Sequence, residues 1–216
     1  MRGDKLVIKD EHVRAGRRLA MALLPVIART EGRFICTIAG ESGSGKSELA
    51  SVLADTLAER RIESIILQQD DYFVYPPKTN AAMRVKDINH VGTTEVRLDL
   101  LDRNLADILV GKDAIEKPLV IYEEDRVVAE TLRVGRNLVV IVEGTYTTLL
   151  AHSHRRIFID RTNRDTRQAR LERAREDQDE YLEQILEIEH RIISAHKTRA
   201  DIVVTRDYDV EEIDEN

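Results

Sequence analysis

Apolar residues recur along this chain with two periods, and the switches between them divide it into elements. Val13, Leu19, Ala20, Leu23, Leu24 and Ile27 fall at helical spacing, predicting a helix over 11–30 that contains Pro25 and stops at Glu31-Gly32. Phe34-Ile35-Cys36-Thr37-Ile38-Ala39 reads as a short buried strand, and Leu49, Val52, Leu53 and Leu57 mark a helix from Glu48 to Arg61. Ser64-Ile65-Ile66-Leu67 is the centre of a second strand over 62–68. Residues 75–90 include Pro76-Pro77 and show no periodicity, so a loop over the site is predicted there. Periodicity returns over 95–110 with Leu98, Leu101, Leu105, Ile108 and Leu109, and Gly111 ends that helix.

Between Lys117 and Val134, two apolar runs, Leu119-Val120-Ile121-Tyr122 and Val127-Val128, flank a polar Glu123-Glu124-Asp125 turn, the pattern of a β-hairpin. Leu138-Val139-Val140-Ile141-Val142 is a continuous apolar run closed by Glu143-Gly144, as expected of a parallel strand buried on both faces. Residues 156–160 and 201–205 complete five strand candidates. Two helical stretches separate the last two strands. The second has a solid stripe of Leu182, Ile185, Leu186, Ile192 and Ile193, whereas the first, over 163–177, has only Ala169, Leu171 and Ala174 to bury. Strands alternating with helices predict an α/β three-layer sandwich with a five-stranded parallel sheet and a small hairpin excursion. The expected organisation is one domain over 1–216, with an N-terminal helix at 11–30, a core at 33–206 and a frayed acidic tail at 207–216.

Composition narrows the class. The chain has 216 residues, 34% of them charged, and a net charge of −7, which argues against a dedicated nucleic-acid or anionic-membrane surface. A single cysteine, Cys36, excludes an intrachain disulfide, and no apolar run reaches membrane-span length. With no apolar segment behind Met1-Arg2-Gly3-Asp4-Lys5, a cytoplasmic protein is expected.

The candidate chemistry starts at Gly40-Glu41-Ser42-Gly43-Ser44-Gly45-Lys46-Ser47, a Gly-x4-Gly-Lys-Ser octet between a strand and a helix. Glycines let successive N–H groups turn into one concavity, and the following helix adds its positive end, which together cradle nucleotide phosphates. The candidate nucleotide-binding set is the octet with Glu48 and Arg175. Lys46 supplies a point charge for the β- and γ-phosphates, and Ser47 a hydroxyl for Mg²⁺. Glu143 ends an apolar strand where an acidic Mg²⁺ neighbour belongs, and Asp70 and Asp71 end the adjacent one. Adjacent acids on an extended chain point to opposite sides, so one is expected in the site, with Asp70 favoured as proton acceptor or metal neighbour. Arg161, Arg164, Arg167, Arg170, Arg173 and Arg175 lie on the weakly apolar helix, which predicts a lid closing over the phosphates. Tyr72, His90, Glu95, Tyr122 and Arg126 are candidates for an acceptor pocket beside it. His152 and His154 have no partner at metal-ligand spacing and are read as structural.

The octet, Gln69-Asp70-Asp71-Tyr72-Phe73, the hairpin after Lys117-Pro118, Val142-Glu143-Gly144, the arginine-rich stretch after Asp160 and Ala200-Asp201-Ile202-Val203-Val204 occur in an order that resembles the uridine kinase and phosphoribulokinase family of P-loop kinases. The resemblance spans roughly 32 to 206. It implies Asp70 as general base, Ser47 and Glu143 as Mg²⁺ neighbours, and Arg170, Arg173 and Arg175 as lid arginines. It also implies ATP and Mg²⁺ as cofactors and a small-molecule hydroxyl as acceptor. Two segments depart from the family: the hairpin Pro118-Leu119-Val120-Ile121-Tyr122-Glu123-Glu124-Asp125-Arg126 lacks the base-holding histidine, and His90-Val91-Gly92-Thr93-Thr94-Glu95 replaces the ribose-binding His-Pro-Asp. Uridine and cytidine are therefore expected to be poor acceptors, beside some other sugar-like alcohol. The competing reading of the octet is a nucleotide-dependent regulatory ATPase with no small acceptor; the hairpin, the Pro-rich loop and the lack of an Asn-Lys-x-Asp guanine signature argue against it.

Overall fold

Side chains alternate in direction along each strand, and that alternation decides which face of the sheet meets which helices. The structure, a computed structural model, describes residues 6–135, 138–173 and 180–213. In chain order its main elements are α1 (Asp10–Arg29), β1 (Phe34–Gly40), α2 (Lys46–Ala58), β2 (Ser64–Gln68), α3 (Pro77–Lys86), α4 (Leu98–Leu109), β3 (Ala114–Ile121), β4 (Arg126–Arg133), β5 (Val139–Glu143), β6 (Arg155–Ile159), α5 (Arg167–Arg173), α6 (Glu180–Ile193), β7 (Ile202–Val204) and β8 (Val210–Glu212). Among the described residues, six strands form one sheet in the order β2-β5-β1-β6-β7-β8. Five run parallel, and β8 pairs antiparallel with β7.

The central strands β1 and β5 are buried throughout. Ile35, Val140, Val142 and Phe158 pack on one side with Leu101, Leu105 and Ile108 of α4. Cys36, Ile38, Ile141 and Ile157 pack on the other with Leu19 and Leu23 of α1 and Leu49 and Leu53 of α2. Among the described residues no helix is long and apolar enough to cross a membrane.

The structure corrects four sequence expectations. The stretch 75–90 is not a plain loop, because α3 occupies its centre. Its helical period is invisible in sequence since Asn80 is its one buried residue. It forms because Pro77 suits a first helical turn and Asp125, from the β3–β4 turn, accepts hydrogen bonds from Lys78 N at 2.6 Å and Thr79 N at 3.1 Å. The helix predicted from 95 begins at Leu98, leaving Glu95 in a preceding 3₁₀ turn. The helix predicted from 163 begins only at Arg167, where α5 starts after a turn at 163–166, and 174–177 lie outside the described residues. The tail is not frayed at 210–212, where β8 closes the sheet edge after a turn that buries Tyr208.

Candidate active site

β1 delivers the octet and α2 continues from it. Gly45 caps α2 in the left-handed region at φ 93° and Gly43 turns at φ 74°, conformations that a side chain would strain. The loop closes on itself through Ser44 N to Glu41 O at 3.1 Å, and Lys46 Nζ donates to the same carbonyl at 2.9 Å. The Glu41 side chain points elsewhere. It is buried, accepting from Asn163 N at 2.5 Å and from His190 Nδ1 at 2.6 Å, so it joins the phosphate loop to the base of α5 and to α6.

Register brings the acidic end together. Glu143 is paired with Ile38 on one side and Gln68 on the other, which sets it beside the loop. Its Oε1 accepts from Ser47 Oγ at 3.1 Å and from Gln68 Nε2 at 3.2 Å. Burial, and then the charge of Asp70, push the Glu143 carboxyl up to about 6, against the opposing pull of Lys46. A buried carboxylate raised by the charge of a second acid, beside a serine hydroxyl, fits a hard divalent cation that draws its other ligands from phosphate and water. Among the described residues no three of His, Cys, Asp and Glu form a metal cage of their own.

Asp70 and Asp71 share a 3₁₀ turn, Gln69–Tyr72, and diverge from it. Asp71 is buried, accepting from Val120 N at 3.0 Å and Lys117 Nζ at 2.9 Å. Asp70 instead faces a cavity of about 320 Å³ that reaches Ser42 of the octet. Phe73, Tyr122, Leu182, Ile185 and Leu186 give the cavity apolar walls, and Asn80, Arg84 and Glu189 give it polar ones.

Those polar groups hang from one buried carboxylate. Glu95, fully buried, accepts from Arg84 Nε and Nη2 at 2.5 and 2.8 Å, from Asn80 Nδ2 at 2.9 Å and from Gly92 N at 3.0 Å. Burial alone would raise Glu95, but the Arg84 hydrogen bonds and charge, with those of Gly92 and Asn80, hold its carboxyl below the usual range. Arg84 Nη2 also donates to Glu189 Oε1 of α6 at 3.2 Å.

Arg170, 6% exposed, lies across the loop: a Cβ on Gly43 would sit 2.9 Å from its Cγ. Its Nη1 donates to Asn163 O and Thr166 Oγ1, both at 2.6 Å.

Comparison with known proteins agrees with this arrangement. Residues 35–210 match the model of the Phosphoribulokinase / Uridine kinase family. The chain belongs to that family. It is 30% identical over 188 residues to a uridine kinase of Leuconostoc citreum, covering 79% of this chain and 86% of that one. It is 25% identical over 196 residues to the bifunctional alpha-galactosidase/sucrose kinase AgaSK of Mediterraneibacter gnavus; this covers 84% of the chain, which spans 21% of that relative's length. A possible uridine kinase of Bacillus stearothermophilus has the same fold, with a TM-score of 0.64 at 20% identity, covering 88% of this chain and 97% of that one. As a member of the phosphoribulokinase and uridine kinase family, the chain is a nucleotide-binding phosphotransferase whose acceptor is an alcohol group.

Within this kinase, the remaining candidates are scattered. Tyr122 lines the cavity with Asp70. His90 stands behind it, Nε2 donating to Asn80 Oδ1 at 3.1 Å. Glu95 orients the cavity's polar groups from beneath rather than facing an acceptor. Tyr72 is a core residue, fully buried with its hydroxyl accepting from Asn104 Nδ2 at 2.9 Å, and not a cavity wall. Arg126 is exposed on the hairpin and pairs with Glu124 at 2.6 Å, away from Asp70. Glu48 is buried on the α1 side, within 3.4 Å of Val7 N, rather than toward the phosphate concavity. Arg175 and the side chain of Arg173 lie outside the described residues.

Asn80, Arg84, Glu189 and His190 were missed by sequence reasoning. Asn80 and Arg84 sit in the helix that carries no apolar period. Glu189 did leave a signal: it occupies a buried position between Leu186 and Ile193 in the apolar stripe of α6, where a carboxylate needs a partner.

Proposed function

We propose that this protein is an ATP- and Mg²⁺-dependent kinase that phosphorylates a hydroxyl of a neutral, sugar-like alcohol. The observation that carries the reading is the place of Asp70, between the Ser47–Glu143 cluster and the cavity bounded by Asn80, Arg84 and Glu189. Lys46, the octet amides and Arg170 would hold the nucleotide phosphates, and Ser47, Glu143 and Asp70 the cation. The bound nucleotide supplies the transferable phosphoryl group, and the cation neutralises its charge.

Asp70 accepts the proton of the attacking hydroxyl, at the edge of a cavity with both apolar and polar walls. Asn80, Arg84 and Glu189 offer both donors and acceptors to neighbouring hydroxyls, while Leu182, Ile185 and Leu186 suit the C–H face of a sugar. The missing hairpin histidine supports a sugar over a pyrimidine nucleoside, and sucrose kinase in the name of one relative points the same way. The test is ATP consumption with a panel of neutral mono- and disaccharides, polyols, sugar acids, sugar phosphates, uridine and cytidine. A neutral sugar or polyol with the highest kcat/KM supports the reading; uridine as the best acceptor replaces it with a plain uridine kinase. ATP hydrolysis that no panel member accelerates would instead favour the regulatory ATPase.

A further inference from the structure

Behind the phosphate loop, on the side away from the acceptor cavity, three elements meet at one phenol. Tyr208, 3% exposed in the β7–β8 turn, donates its hydroxyl proton to Ser44 O at 2.9 Å. The same oxygen accepts from Arg161 Nη1 at 2.7 Å. His12 of α1 completes the set with Nε2 at 3.0 Å. The tautomer follows from its other nitrogen: Nδ1 accepts from Lys9 N at 3.1 Å, so in the neutral ring Nε2 carries the hydrogen and donates to the phenol. Burial holds His12 below its ordinary value, which favours that neutral ring. One donated and two accepted hydrogen bonds leave the Tyr208 oxygen fully used.

Two further observations say that this contact is imposed on the loop rather than incidental. Tyr208 sits at φ 62°, a left-handed backbone that a tyrosine keeps only where its surroundings hold it. A Cβ on Gly45 would lie 2.6 Å from the Tyr208 hydroxyl and 3.0 Å from His12 Nε2, so the cluster is packed directly against the residue before Lys46.

We propose that Tyr208, held by His12 and Arg161, is a positioning residue for nucleotide phosphate, acting through the Ser44–Gly45 peptide. No peptide bond in the described chain is cis, so the Ser44 carbonyl and the Gly45 N–H point in opposite directions. Drawing the carbonyl outward onto Tyr208 turns the Gly45 N–H inward, toward the concavity where Lys46 and the α2 N-terminus meet the phosphates. α1 then belongs to the nucleotide site, although its residues precede the 35–210 segment that the family model matches. The inference rests on the kinase reading only in taking phosphate to be what the loop binds.

The test is equilibrium binding of ATP and of inorganic tripolyphosphate to wild type and Tyr208→Phe, by calorimetry, beside thermal melts. Losing the hydroxyl frees the peptide to rotate, and we expect both ligands to weaken by roughly tenfold, the scale of one hydrogen bond to a charged group. His12→Ala should weaken both by a smaller factor, and His12→Gln, which keeps an N–H donor, should recover much of it. KM for the acceptor should stay within about twofold, a split that a general loss of packing would not give. Unchanged binding in Tyr208→Phe overturns the inference. So does weakening confined to ATP, which would mean a contact with the nucleoside, and so does equal loss for both substrates with a lowered Tm, which would mean packing alone. Wild type that binds neither ATP nor tripolyphosphate would remove the kinase reading and this inference together.

Discussion

Asp71 and Lys117 form an ion pair at 2.9 Å with both side chains almost wholly buried, and it joins the turn that carries Asp70 to the β3–β4 hairpin. The hairpin in turn caps α3 through Asp125, and α3 brings Asn80 and Arg84 to the cavity. Asp71 therefore shapes the cavity without facing it. Asp71→Asn should cost about 3 kcal/mol of stability, the low end for breaking a buried pair, because Glu130 still stands 3.1 Å from Lys117. Denaturant melts read this directly. At low temperature, where the variant remains folded, kcat should fall only a few-fold; a drop as large as that of an Asp70 variant would place Asp71 in the chemistry.

Asp70→Asn should leave ATP binding nearly normal and lower kcat by about 10²–10⁴, the usual span of general acid–base assistance. Steady-state rates beside calorimetric ATP titration separate the two effects. Near-normal turnover would show that the acceptor hydroxyl needs no base at this position.

The raised carboxyl of Glu143 gives stability a pH slope of defined sign. Its folded value, about 6, lies above its ordinary 4.5, so between these pH values the folded state holds a proton that the unfolded state has released. Without nucleotide or cation, stability should fall as pH rises through that window, by about 2 kcal/mol in all, and level off above it. Glu143→Gln should remove the slope. Mg²⁺ with nucleotide should oppose it, because the cation favours the ionised carboxylate. Tm measured from pH 4.5 to 7.5 on both proteins tests this, and an identical slope in the variant would assign it to other groups.

Glu189→Gln keeps the shape of the α6 wall and removes its charge from Arg84 and from any acceptor hydroxyl. KM for the acceptor should rise by about tenfold or more, since each mismatched buried polar group costs about 1–3 kcal/mol, while KM for ATP stays near wild type. If both constants move together, α6 serves the nucleotide through the His190–Glu41 contact instead.

The phosphate octet, its strand and helix, the strand ending in Glu143, and the hairpin were all legible because each is contiguous. Residues 40–47 carry their chemistry in their own backbone, and Val139–Glu143 announces its burial by an unbroken apolar run. Asp70 and Asp71 do diverge, but a 3₁₀ turn produces this, not the alternation of an extended chain on which the expectation rested.

What the sequence by itself determined, then, is the α/β framework and the octet end of the candidate site. Only the tertiary structure decided the cavity end. Glu95 and Glu189 are both glutamates beside ordinary neighbours, yet one is fully buried beneath Arg84 and the other faces the cavity across it. α3 is a helix because an aspartate from another element caps it, and the acidic tail is a strand because β7 offers an edge to it. A local pattern records only the face that an element buries on its own. Caps, ion pairs and edge strands draw their free energy from partners far along the chain, so their outcome is written in the packing and not in any window of residues.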